Sequence, residues 1–310
     1  ALARGPLVLD GGLANQLEAQ GSDLSDELWS ARLLTDCPRQ IEAAHAAYVR
    51  AGARVLITGS YQASFEGFAS RTGAGPREAE ALLRRSVALA RVAALGHEVW
   101  VAASVGPYGA ARADGSEYRG RYGLSVRELV AFHRPRIAAL AEAEPDVLAL
   151  ETVPDVDEAE ALLEAAADCG VPVWLSYTVD GAYTRAGQPL TEAFALAAGL
   201  DQVVAVGVNC CAAADVDNAI EVAAATAGKP VVVYPNSGES WSSRRRTWHG
   251  PPTFAAGRPG PPGTGKTQGP GSWVGGWVER GARLIGGCCR VGPAAIAELA
   301  REPVFGRGAA

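Results

Sequence analysis

No apolar run in this 310-residue chain approaches the ~20 residues that a membrane span requires, and no charged leader followed by an apolar stretch opens it. A soluble, cytosolic protein with no membrane partner is therefore expected. An excess of positive charge is missing too. The formal net charge is -6 at pH 7, which leaves no basic field for nucleic acid and makes small molecules the expected partners. No G-x-G-x-x-G follows the first apolar run, so the dinucleotide fingerprint is absent. No pair of C-x-x-C motifs marks a zinc ribbon, and the six cysteines, at 37, 169, 210, 211, 288 and 289, lack the even distribution of a small secreted disulfide framework. Metal or redox chemistry is the more natural use for them.

What is present is a repeating rhythm. Eight apolar runs of strand length recur: LVL (7–9), VLIT (55–58), VWVAASV (99–105), DVLAL (146–150), VPVWLSY (171–177), VVAVGV (203–208), PVVVY (230–234) and ARLIG (282–286). They are rich in Val, Ile and Leu without polar alternation, as in parallel strands buried on both faces. Between them lie helical segments. Residues 76–95 start with Pro76, which a first turn tolerates; 155–168 load acids into their first turns; Ser125 and Glu128 form the S-x-x-E of a capping box. Pro135 should kink or break the helix after that box. Eight β units alternating with helices in this length predict an α/β fold, a single-domain (β/α)8 barrel, with a doubly wound sheet as the alternative.

In a barrel, chemistry collects at the C-terminal ends of the strands. Those ends read Asp10-Gly11-Gly12, Ser60-Tyr61-Gln62, Gly106-Pro107-Tyr108, Glu151-Thr152, Tyr177-Thr178, Asn209-Cys210, Pro235-Asn236 and Gly287-Cys288-Cys289. One segment breaks the rhythm. Residues 250–272 hold seven Gly and six Pro in 23 positions, far above the ~12% of average protein, and predict a loop inserted after the seventh strand. Within it, GPPGTGKT (260–267) fits the phosphate-loop pattern letter for letter, with Lys266 as its lysine. A working phosphate loop follows a buried strand and opens a helix. Here Arg258-Pro259 precede the string and Gln268-Gly269-Pro270-Gly271 follow, so neither flank supplies the element, and an ATP-binding function through 260–267 is kept only as a rival reading.

Cys210 ends the sixth strand and Cys288-Cys289 follow the eighth, and in a barrel these strands are next-but-one neighbours. Three thiolates can meet one ion there. Soft sulfur in tetrahedral geometry favours zinc, and three protein ligands leave a fourth position for substrate. Neighbouring residues of an extended strand point to opposite faces, so Cys288 and Cys289 can both ligate only if the chain turns, a freedom assigned to Gly286 and Gly287. Cys211 adjoins a ligand and could replace it. Cys37 and Cys169 are expected as buried thiols. His45, His97, His133 and His249 are assigned to packing or solvent, none to metal.

The chain resembles the homocysteine S-methyltransferase family, in the branch that uses S-methylmethionine. The resemblance rests on LVLDGGLANQLEAQG (7–21), ITGSYQASFEGF (57–68), ASVGPYGA (103–110), DGSEYRG (114–120), FHRPRI (132–137), LALETVPD (148–155), GVNC (207–210), VVVYPNSGE (231–239) and GARLIGGCCR (281–290). It implies Zn2+ on Cys210, Cys288 and Cys289, with Asp10 and Glu151 on the amino group of homocysteine, Gly11 and Gly12 letting backbone approach the substrate, and Asn209 among the substrate residues. The chain departs from the family at Asn15, where relatives usually carry Thr, and in the Gly/Pro-rich insert.

Chemistry agrees with what the resemblance implies. A free thiol with a pKa near ~8.5 is mostly protonated at neutral pH, and zinc deprotonates it. Transfer of a methyl group from a sulfonium then needs in-line positioning and little proton transfer. Tyr61, Tyr108 and Trp29 are candidates to hold the cationic donor by cation–π contact. S-adenosylmethionine as a second donor and selenocysteine as acceptor stay open, as does a noncatalytic zinc or redox role.

Overall fold

Each of the eight apolar runs carries one strand of a single parallel sheet: β1 (Leu7–Val8), β2 (Val55–Ile57), β3 (Trp100–Val105), β4 (Val147–Val153), β5 (Val173–Tyr177), β6 (Val203–Asn209), β7 (Val231–Tyr234) and β8 (Ala282–Ile285). The computed structural model describes residues 2–26, 28–242, 247–254 and 269–306. Hydrogen-bonded neighbours follow chain order from β2 to β8, and β8 pairs with β1. A parallel bridge between Leu9 and Val55, with the Asp10 amide donating to the Val55 carbonyl at 3.0 Å, joins β1 to β2 and closes the barrel. The doubly wound alternative is thereby excluded.

The strands are apolar throughout because each packs on two sides. Inward, Leu9, Val55, Ala102, Ala149, Trp174, Ala205, Val232, Tyr234 and Leu284 form one cluster. Most are small or branched, and Trp174 fills the remaining interior, its indole N–H donating to the Tyr234 hydroxyl at 3.1 Å. Outward, alternate residues such as Leu56, Val101, Leu148, Leu175 and Val206 pack against helices.

The principal helices are α1 (Pro38–Arg50), α2 (Pro76–Ala93), α3 (Val126–Ala141), α4 (Val156–Ala166), α5 (Leu190–Ala195), α6 (Val216–Ala227), α7 (Gly271–Arg280) and α8 (Pro293–Ala300). Pro76 opens α2, the Asp155 side chain caps α4 by accepting from the Glu158 amide at 2.8 Å, and the Ser125–Glu128 capping box is formed on α3. Pro135 does not break α3, which runs on to Ala141. Proline removes one ladder hydrogen bond, while buried residues on both sides of it, from Leu129 to Leu140, hold the two halves against the barrel.

The Gly/Pro-rich insert ends earlier than its composition indicates. Helix α7 starts at Gly271, directly after Pro270, so residues 271–272 are helical. Proline preceding the first turn is compatible with a helix start because the N–H it lacks has no intrahelical partner there. Phe254, at the other described edge of the insert, is buried and stacked on Trp277 of α7 with ring centroids 5.5 Å apart. GPPGTGKT, at 260–267, lies outside the described residues. Among the described residues no helix is long and apolar enough to cross a membrane.

Candidate metal centre

The strand ends bring three sulfurs together. The Sγ atoms of Cys210, Cys288 and Cys289 all lie within 4.8 Å of one another, with Cys210 and Cys288 paired sulfur to sulfur across Cα atoms 5.6 Å apart. A tetrahedral ion with metal–sulfur bonds of about 2.3 Å sets its sulfurs about 3.8 Å apart. The cluster therefore has the soft donor set of a three-thiolate metal site; the Cys210 and Cys288 sulfurs, in direct contact, would have to open to that spacing around an ion, which would leave one coordination position to a ligand from outside the chain.

Local backbone geometry aims these side chains. Cys210 leaves β6 with φ +49°, a left-handed conformation unusual for a residue with a side chain. Beyond β8 the chain turns as expected, with the Val291 amide donating to the Cys288 carbonyl at 3.1 Å and Arg290 at φ +62°. Gly286 and Gly287 serve this turn by their lack of bulk, not by left-handed backbone. A Cβ on Gly286 would stand 2.5 Å from the Leu9 Cβ, and one on Gly287 2.1 Å from a Val291 methyl.

Gly11 and Gly12 are likewise required for their lack of bulk. Added Cβ atoms would stand 2.1 Å from the Val291 carbonyl oxygen and 2.6 Å from that of Cys288, so these glycines let the loop after β1 approach the cysteine turn. Two asparagines complete its support. The Cys289 amide donates to Asn236 Oδ1 at 3.1 Å, and the Arg290 amide to Asn15 Oδ1 at 2.6 Å.

Two buried carboxylates, Asp10 after β1 and Glu151 near the end of β4, stand at strand ends. Asp10 is buried; its Oδ2 accepts from the Ile57 amide at 2.9 Å, and its Oδ1 has no hydrogen-bond partner among the described residues. Burial raises its pKa well above the ordinary carboxylate range, the Ile57 hydrogen bond opposes this, and the negative charge of Glu151 adds to the rise. Glu151, in β4, accepts from Ser104 Oγ and from the Tyr234 hydroxyl. Burial nevertheless pushes it up to about 7. A buried acceptor without a donor marks a place where a cationic ligand would be stabilised.

Asn209 is buried and its amide is committed to the scaffold. Its Oδ1 accepts from the Thr152 amide at 2.8 Å and Ser176 Oγ at 2.9 Å, and its Nδ2 donates to Thr152 Oγ1 at 2.7 Å. It braces the residue after Glu151, where substrate contact was expected of it.

The aromatic candidates separate. The charges of Glu117 and Glu151 act on the Tyr61 phenol, and Thr152 hydrogen-bonds to it, which places it at the mouth. Tyr108 instead packs on Tyr122 and Phe132, with centroids 5.2 and 5.0 Å apart, and Trp29 lies half-buried against the core. Nothing among the described contacts carries either to the sulfur cluster. Two residues that sequence reasoning did not single out do reach it. The Tyr118 phenol and the Glu117 carboxylate both act on the Cys289 thiol. Both lie in DGSEYRG, and the abundance of polar residues in that loop gave no signal of which ones turn inward.

The other cysteines stay apart from the cluster. Cys211 is buried in the core, where burial pushes its thiol up to about 12. Cys37 is exposed, contrary to expectation, because it precedes α1 at its solvent end, and Cys169 is half-buried. His133 is not simply packed. It pairs with Glu158 at 2.8 Å and lies 3.3 Å from Arg136, whose guanidinium donates to the carbonyls of Ala63, Gly106 and Tyr61 behind the site.

Comparison with known proteins agrees with this geometry. A sequence model of the family described as "Homocysteine S-methyltransferase" matches residues 7–302. The homocysteine S-methyltransferase of Escherichia coli is 44% identical over 303 residues, covering 94% of each chain. The homocysteine S-methyltransferase YbgG of Bacillus subtilis is 40% identical over 309 residues, covering 95% of this chain and 93% of its own. The crystal structure of the metallated form of the homocysteine methyltransferase MmuM from Escherichia coli superposes with a TM-score of 0.79 at 41% identity, covering 96% of both chains.

Proposed function

The chain belongs to the homocysteine S-methyltransferase family, and from that premise we propose that its three-sulfur centre holds Zn2+ and that its methyl donor is a sulfonium, S-methylmethionine. The observation that carries this reading is the convergence of Cys210, Cys288 and Cys289 within 4.8 Å. When bound, zinc would supply a Lewis-acidic position at which the homocysteine thiol is held as thiolate.

The chain's own residues do the rest. Asp10 Oδ1, buried and without a donor, and Glu151 receive the ammonium group of homocysteine. Partial neutralisation by that ammonium favours the ionised carboxylates, opposing the burial that raises both. Tyr61 presents its ring on the donor side of the mouth. In the reaction the acceptor sulfur forms a bond to the methyl carbon while the sulfonium C–S bond breaks, its electron pair staying on the departing neutral thioether. No proton has to move, so rate depends on alignment. We read the chain as one barrel domain acting in the cytoplasm, where cysteines remain reduced.

The test is metal analysis and methionine formation in three proteins. The unaltered chain should carry one zinc and make methionine from homocysteine and S-methylmethionine. Cys288→Ser should lose both. Cys211→Ser, outside the cluster, should keep its metal. Activity retained by a metal-free Cys288→Ser protein overturns the mechanism.

A further inference from the structure

Glu117 occupies a position that the acceptor chemistry leaves unexplained. It lies in the short turn Ser116–Tyr118 after β3, which closes against Gly109, where an added Cβ would stand 2.4 Å from the Glu117 amide nitrogen. Its Oε2 is buried, and among the described residues it has neither a hydrogen-bond partner nor an ion pair. Its charge acts on both the Cys289 thiol and the Tyr61 phenol, and the adjacent Tyr118 phenol interacts with Cys289 as well.

A carboxylate beside thiolates is unfavourable unless a cation joins them. Three cysteine thiolates and a dication already carry a formal charge of about -1, and an acceptor thiolate makes it about -2. The acceptor amino acid brings a single ammonium, to which the buried carboxylates of Asp10 and Glu151 are assigned. Glu117 is thus a third carboxylate. The donor brings an ammonium of its own and a sulfonium, and of these only the sulfonium has to stand against the acceptor thiolate beside the cysteine cluster, where Glu117 acts on Cys289. A sulfonium donates no hydrogen bonds, so a protein recognises it through negative charge and aromatic faces.

Resting on the methyltransferase reading, we propose that Glu117 is the counter-ion of the donor sulfonium, in a subsite walled by Tyr61 and Tyr118. The charge that attracts the donor disappears as the methyl group leaves. The neutral thioether product is then held less tightly than the substrate, so Glu117 both selects sulfonium over thioether and favours product release.

The experiment compares the unaltered enzyme with Glu117→Gln, which keeps the side-chain shape and removes the charge, and with Glu117→Asp, which withdraws the charge by one methylene. Calorimetry would measure affinity for S-methylmethionine and for methionine, its neutral thioether counterpart; steady-state assays would give KM for donor and for homocysteine. Glu117→Gln should weaken S-methylmethionine binding and raise its KM about tenfold or more, leave methionine affinity, homocysteine KM and metal content unchanged, and so abolish discrimination between sulfonium and thioether. Glu117→Asp should fall between, and it carries the test if the glutamine variant does not fold. An unchanged donor KM, a rise in homocysteine KM instead, or equal loss of sulfonium and thioether would each overturn the proposal. Failure of the underlying reading looks different: the unaltered enzyme would then form no methionine from any sulfonium.

Discussion

Asn209 grips Thr152 with both halves of its amide, accepting from the backbone N–H at 2.8 Å and donating to the hydroxyl at 2.7 Å. Thr152 needs this hold. Its φ of +58° is left-handed, a conformation that costs a β-branched residue on the order of 1–3 kcal/mol, and it directly follows Glu151. Asn209→Ala would leave the buried Thr152 amide N–H without its acceptor and remove the hold on that strained residue. A loss of about 2–4 kcal/mol in urea unfolding is expected. A higher homocysteine KM should accompany it, because Glu151 is no longer held; an unchanged KM would confine Asn209 to stability.

Asn15 and Asn236 hold successive amides of the cysteine turn, those of Arg290 and Cys289. Supports of this kind orient ligands, and losing one weakens metal binding by about 10–100-fold. Asn15→Ala and Asn236→Ala should each yield zinc to a competing chelator at correspondingly lower concentration. Asn15→Thr keeps an oxygen acceptor and should retain affinity close to that of the unaltered chain. Chelator titration with a colorimetric zinc indicator reads all three.

His45, on α1, is buried with neither ring nitrogen hydrogen-bonded among the described residues, and burial lowers its pKa from 6.5 to about 4. The folded protein keeps this ring neutral while the unfolded chain protonates it below its ordinary value. Stability is therefore full above pH 6.5, falls as pH drops from 6.5 towards 4, and loses about 3 kcal/mol over that window. His45→Leu should remove this component. Unfolding free energies of both proteins at pH 7.5 and 4.5 isolate it, and a variant as acid-sensitive as the unaltered chain would refute the assignment.

Much of the site was legible because barrel topology converts sequence position into place. Cys210, Cys288 and Cys289 each follow a strand, and strands two apart in order open at the same mouth, so their meeting followed from counting runs. Asp10 and Glu151 were singled out through the resemblance, and both are buried. Tyr108 and Tyr61 could not be separated by the same logic. Both follow strands, but Tyr108 belongs to a short helix, Tyr108–Arg112, that turns its ring onto Tyr122 and Phe132. Glu117 and Tyr118 were hidden for the opposite reason, since they lie well beyond the end of β3 and come back to Cys289 only through the path of the loop.

Local pattern by itself determined the strands, most of the helix starts and the meeting of three cysteines, since burial on two faces, capping and strand order act over a few residues or through a regular repeat. Folding in three dimensions alone decided which carboxylate oxygens lack a donor, which glycines yield to a neighbouring carbonyl, and that Asn209 braces Thr152. Those outcomes depend on steric and electrostatic contact between segments far apart in the chain, for which no short stretch of residues carries a code.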